Sequence, residues 1–170
     1  MKKALIFGVS GTLGTKLVKK LKSKQYWVRG VDLNEISDDI EIDEFIQADL
    51  TKESSVMTTM FSDTMPFDEV YQFVVTDKDV TADSIVESLL INIHTLKYAR
   101  RFSVGKVLAL SSGDDIYKTI YSLWRKEKKV LSLVMDIDKK KTTKAFWNKI
   151  DKEITKDNKK ALKKLGNVEK

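Results

Sequence analysis

The sequence predicts an α/β fold, a doubly wound parallel sheet with helices on both faces. Three observations carry that reading. Short apolar runs alternate with segments whose apolar residues recur at helical spacing, the pattern of strands joined by crossover helices. The first run, residues 4–7, ends in Gly8-Val9-Ser10-Gly11-Thr12-Leu13-Gly14, and Leu13, Leu17, Val18 and Leu21 follow at helical spacing. The second run, residues 26–33, carries an acid, Asp32, 24 positions beyond Gly8.

The glycine turn organises the first strand and helix. Without a Cβ, the chain turns sharply at Gly8, a ligand approaches the backbone at Gly11, and the helix packs closely on the strand at Gly14. The helix that opens there directs unpaired N–H groups and a positive dipole end at the turn, which favours a phosphate. An acid ending the second strand, about 20 residues on, is the residue type that accepts adenosine ribose hydroxyls. Its charge also repels the 2′-phosphate of NADP. Gly8, Ser10, Gly11, Thr12, Leu13 and Gly14, with Asp32 and Leu33, therefore predict a Rossmann site for NAD in preference to NADP, the pyrophosphate lying over residues 11–13.

Residues 34–44 form an acidic loop with at most one helical turn. A third strand is predicted over 45–50, then Thr51 as N-cap of a helix through Met60. Pro66 marks the turn before a fourth strand over 69–75. Thr81 or Asp83 caps the next helix, where Ile85, Leu89, Ile93 and Leu96 form one apolar stripe and Gly105 provides the stop. The fifth strand, 106–111, ends in Ser111-Ser112-Gly113. Ile116, Ile120 and Trp124 recur every four residues and predict a helix, capped by Asp114-Asp115, reaching Lys128; a sixth strand covers 129–136. Phe146, Ile150, Ile154, Ala161 and Leu165 predict a last helix over 142–165, interrupted at Asp157 and Asn158 and stopped by Gly166. No repeat and no Gly-, Ser- or Pro-rich linker divides the chain. Residues 1–138 are expected to form a dinucleotide-binding domain with sheet order 3-2-1-4-5-6, and 139–170 a basic C-terminal amphipathic helix of the same domain.

At 170 residues the chain is long enough to bury a sizeable core. It has no cysteine, which excludes disulfides and thiolate metal sites and suits a reducing cytoplasm. The single histidine, His94, builds no multi-histidine site, so no metal centre is predicted. No apolar run approaches the roughly 20 residues of a membrane span, and the N-terminal apolar run is too short for a signal peptide. A soluble, cytoplasmic protein is expected. The net charge of +6 is uneven: residues 139–170 hold twelve lysines against Asp151, Glu153, Asp157 and Glu169, net +8, which leaves −2 on the rest. The lysines fit the solvated face of an amphipathic helix, and neither a nucleic-acid nor a membrane partner is expected.

Over roughly residues 2–136 these motifs resemble the short-chain dehydrogenase/reductase superfamily, in particular its extended branch of NAD-dependent sugar-nucleotide epimerases and dehydratases. The resemblance implies roles for further residues. Asp49-Leu50 is similar to the pair whose carboxylate and following amide meet the adenine, and Val74 stands where the fourth strand passes the dinucleotide. Asn92 resembles the family's helix asparagine. Ser111-Ser112 resembles its catalytic serine motif, with Ser111 or Ser112 polarising a carbonyl and Tyr117 or Tyr121 exchanging the proton. A sugar-nucleotide substrate and a homodimer through the helices around Asn92 and Tyr121 are implied as well.

The sequence departs from the family pattern in several places. The family pairs its tyrosine with a lysine one helical turn later, which lowers the phenol pKa. Here Tyr121 stands four places after Tyr117, and Arg125 four places after Tyr121. A guanidinium supplies charge but stays protonated and is a poor proton relay. Both tyrosines also adjoin the stripe of Ile116, Ile120 and Trp124, where a packing role needs no chemistry. Val74-Val75-Thr76 is β-branched where the family has small residues, and Met135-Asp136-Ile137-Asp138-Lys139 lacks its proline-containing loop over the nicotinamide. The roughly thirty residues after the sheet are too few for a substrate domain. Two readings stay open: a minimal oxidoreductase, epimerase or dehydratase, and a non-catalytic dinucleotide-binding or scaffold protein of the same fold. A third, nucleic-acid contact through the basic tail, rests on the lysines alone.

Overall fold

The structure, a computed structural model, describes residues 1–63, 66–74, 81–111, 122, 131–136 and 144–155. Among them six strands form one sheet: β1 (Lys3–Phe7), β2 (Trp27–Asp32), β3 (Glu44–Gln47), β4 (Glu69–Gln72), β5 (Lys106–Ser111) and β6 (Leu131–Asp136). Their order is β3-β2-β1-β4-β5-β6 and every neighbouring pair is parallel, as the sequence predicts. Four helices accompany them: α1 (Thr12–Ser23), α2 (Glu53–Met60), α3 (Ala82–Arg101) and α4 (Lys144–Thr155).

Alternation along β1 divides the core into two layers, because successive strand side chains point to opposite faces. Leu5 and Phe7 join Val56 and Met60 of α2 and Ile91 and Leu96 of α3. Ala4 and Ile6 join Leu17, Val18 and Leu21 of α1 and Ile150 and Ile154 of α4. Covered on both faces, β1 buries all of residues 4–7, which explains its uninterrupted apolar run. A Lys20–Asp151 ion pair of 2.7 Å ties α4 to α1.

Several boundaries differ from the sequence-based expectation, each for a local reason. β3 stops at Gln47 because Asp49 turns the chain: its Oδ1 accepts from the Thr51 amide at 3.0 Å and the Thr51 hydroxyl at 2.6 Å. That hydroxyl is donating to Asp49, and α2 opens two residues later, with Lys52 rather than Thr51 at its N-cap. β4 stops at Gln72, whose side chain takes over the bonding: Oε1 accepts from the Val74 amide at 2.6 Å. The 34–43 loop holds a turn at Asp38-Asp39 and no helical turn. Thr81, not Asp83, caps α3, in a reciprocal capping box with Ser84. α3 ends at Arg101 without reaching Gly105, since Ser103 adopts the left-handed φ of 56° that turns the chain. β6 begins at Leu131. The helix expected over 114–128 lies, apart from Ser122, outside the described residues, as does the C-terminal chain after residue 155.

The buried face of α3 is also not the expected stripe. Ile85 and Ile93 are exposed, while Ser88, Ile91, Asn92, Thr95 and Leu96 are buried. Polar residues tolerate that face because they bond within the helix: Asn92 Nδ2 donates to Ser88 O at 2.8 Å, and Thr95 Oγ1 to Ile91 O at 2.7 Å.

At the amino edge of the sheet, Glu69 and Lys106 are neighbours in register and fully buried, with Nζ 3.1 Å from Oε1. The hydroxyls of Tyr71 and Tyr26 both donate to the Glu69 carboxylate. Burial, and then the charge of Glu69, push the Tyr26 phenol well above its ordinary range.

Candidate functional site

The opposite, carboxyl edge gathers the glycine turn and the ends of β2, β3 and β4. Gly8 has φ +82°, and a Cβ there would stand 2.8 Å from Phe73 C and Val74 N. Gly14 is tighter still, since its Cβ would stand 2.3 Å from Gly8 O. Both glycines are therefore required for β1, α1 and the β4 end to meet. Gly11 differs: a Cβ there would meet only Gly8 O, at an ordinary 3.5 Å. Space lies above it, at the N-cap of α1, where no side chain caps the helix. Ser10, Thr12 and Leu13 adjoin Gly11 along the chain, and the first-turn amides of α1 have no partner within the helix. Such an end suits an anion.

Asp32 closes the turn from the side. Its Oδ2 accepts from the Ser10 amide at 3.0 Å and its Oδ1 from the Asn34 amide at 3.2 Å. An ionised carboxylate has about four acceptor positions, so Asp32 keeps capacity for hydroxyl donors. The turn itself hangs on β2, with Gly8 N donating to Val31 O at 2.9 Å.

Beside Asp32 lies a cavity of about 140 Å³, lined by Leu33, Ala48, Asp49, Leu50, Thr51 and Val74 and, from α3, Glu87 and Ile91. Leu33, at 62% exposure, is an apolar flap at its mouth. The Asp49 carboxyl lies below the usual range, held there chiefly by the Thr51 hydroxyl and then by the Thr51 amide. Its Oδ1 is thus engaged within the loop, and Lys52 approaches Oδ2 at 3.5 Å.

All the residues expected at the cofactor therefore stand together at one edge. Ser111 ends β5 at that same edge, in register with Asp136. Ser112, Tyr117, Tyr121 and Arg125 lie outside the described residues. Three contributors were missed by sequence reasoning. Glu87 and Ile91 share a helix face by their spacing of four, yet only the tertiary placement of α3 aims that face at the β2 and β3 ends. Gln72, fully buried, was legible as an amide inside an apolar strand.

The sequence pattern of the NAD dependent epimerase/dehydratase family matches residues 4–123. The chain belongs to this family. No curated protein matches its sequence. Solved structures of similar fold include a UDP-galactose 4-epimerase, with 21% identity and a TM-score of 0.54 over 65% of this chain and 38% of that one. The Bordetella bronchiseptica enzyme WbmH, in complex with NAD⁺, has 19% identity and a TM-score of 0.56 over 65% and 39%. Pen from Bacillus thuringiensis has 17% identity and a TM-score of 0.66 over 79% and 49%. The chain thus spans less than half the length of these neighbours. Among the described residues, no helix is long and apolar enough to cross a membrane, and no group of three or more potential ligands could hold a metal ion.

Proposed function

We propose that this chain binds NAD along the carboxyl edge of its sheet, as a dinucleotide-binding member of the epimerase/dehydratase family. The observation that carries the reading is the Ser10–Asp32 hydrogen bond of 3.0 Å. It joins the open helix end, suited to a diphosphate, to a carboxylate with acceptor capacity for ribose hydroxyls. In this reading the amides of residues 11–13 hold the diphosphate, Asp32 grips the ribose, and the adenine enters the cavity between Leu33, Leu50, Val74 and Ile91. Asp32 and the neighbouring carboxylates disfavour the 2′-phosphate of NADP. Calorimetric titration tests this: NAD binds and NADP binds at least about tenfold more weakly. No uptake of NAD at millimolar concentration contradicts it.

If the chain is an enzyme, the substrate class is a sugar nucleotide, with Ser111 or Ser112 polarising a carbonyl and Tyr117 or Tyr121 exchanging a proton. The absence of lysine four places after either tyrosine favours the second reading, dinucleotide binding without turnover. Incubation with NAD and sugar nucleotides separates them, since only the first yields an altered sugar or NADH absorbance. Exposed Val86, Leu90 and Ile93 on α3 support a homodimer through that helix, which sedimentation tests. A reducing, cytoplasmic setting accords with the lack of cysteine.

A further inference from the structure

The cavity beside Asp32 has apolar walls and three carboxylates at its rim: Asp32, Asp49 and Glu87. Two of them already hold donors of their own chain, with part of their acceptor capacity left. Asp32 accepts one backbone amide on each oxygen, and Asp49 accepts both donors of Thr51. Glu87 is different: among the described residues it has neither a hydrogen bond nor an ion pair. It stands one helical turn before Ile91, which is 2% exposed and forms part of the apolar wall. Helical side chains lean toward the N-terminus, so Glu87 reaches the rim above that wall.

A carboxylate only accepts hydrogen bonds. A 6-aminopurine offers an N–H donor on its exocyclic amine, whereas a 6-oxopurine offers lone pairs at that place and carries its donor on the ring nitrogen N1 instead. We propose that Glu87 selects the purine of the bound dinucleotide, accepting from the 6-amino group of adenine and repelling the 6-oxo group of hypoxanthine. This inference rests on the dinucleotide reading above and adds a specificity-determining residue to it. Glu87 is exposed and, among the described residues, unpartnered, so its substitution is expected to leave the fold intact.

The test is calorimetric titration of the full chain with NAD and with nicotinamide hypoxanthine dinucleotide, which differ at the purine. The wild type is expected to prefer NAD by roughly tenfold or more, the range of a hydrogen bond to a charged group. Glu87→Gln, whose amide can turn either a donor or an acceptor to the base, and Glu87→Ala are each expected to bring the two affinities within about twofold. Melting temperatures equal to the wild type's establish that both variants are folded. Equal affinities in the wild type, or an unchanged preference in both variants, would overturn the role of Glu87 while leaving the dinucleotide site standing. Failure of the wild type to take up either dinucleotide would overturn the site itself, and this inference with it.

Discussion

Gly11 and Gly14 are three residues apart and identical in composition, yet they answer different needs. At Gly14 a methyl group would press on backbone atoms, Gly8 O at 2.3 Å and Val9 Cα at 2.6 Å, which have no freedom to yield. Gly14→Ala is therefore predicted to lower the melting temperature and abolish NAD binding together. At Gly11 the backbone is extended, with φ −67° and ψ 159°, a conformation alanine adopts freely. Gly11→Ala is predicted to keep the fold, with a melting point within a few degrees of the wild type's, but to weaken NAD binding by about tenfold or more, as its methyl occupies the diphosphate's approach. Thermal melts and calorimetry on the two variants separate a packing glycine from a ligand glycine. A further residue-scale prediction concerns pH. The Asp49 carboxyl is depressed mainly by the Thr51 hydroxyl, so it adds stability above the ordinary carboxylate range and loses it as pH falls through its own lowered value. Thr51→Val removes the larger cause, and the gap in melting temperature between wild type and variant should shrink as the pH is lowered through that range.

Among the elements, the fully buried Glu69–Lys106 pair joins the starts of β4 and β5. Removing Lys106 leaves the fully buried Glu69 carboxylate with the two tyrosine hydroxyls and, as counter-charge among the described residues, the half-exposed Lys2 at 3.7 Å. Lys106→Met is predicted to cost about 3–5 kcal/mol in chemical denaturation, and the double substitution Glu69→Leu with Lys106→Met much less. Equal losses in the single and double variants would contradict that account. The strands and their order were legible because parallel, two-sided burial writes itself as apolar runs, of which residues 4–7 are the clearest. The end points were not legible where side chains replace backbone bonding, as Gln72 does for Val74 and Asp49 does for Thr51. α3 misled for a related reason. Asn92 and Thr95 satisfy their polar atoms on their own helix, so the buried face is not the most apolar one. At the site, the glycine turn and Asp32 were readable because their spacing is local in sequence. Glu87 was not, because a helix distant in sequence brings it to the cavity.

At the scale of the whole molecule, the doubly wound sheet separates two tasks. Its amino edge holds a buried charge pair that fixes strand neighbours, and its carboxyl edge is left open around the glycine turn. Ligand uptake at that open edge should stabilise the fold as a unit, by about 2.7 kcal/mol at a hundredfold excess over Kd, read as a rise in melting temperature with NAD that Asp32→Ala largely removes. The most direct measurement is a crystal structure of the chain with NAD. The account predicts the diphosphate within hydrogen-bonding distance of the amides at residues 11–13, the adenosine ribose hydroxyls on Asp32, and the adenine in the cavity beside Leu33 and Val74. A nucleotide bound elsewhere, or a glycine turn filled by the chain's own side chains at saturating NAD, would contradict it.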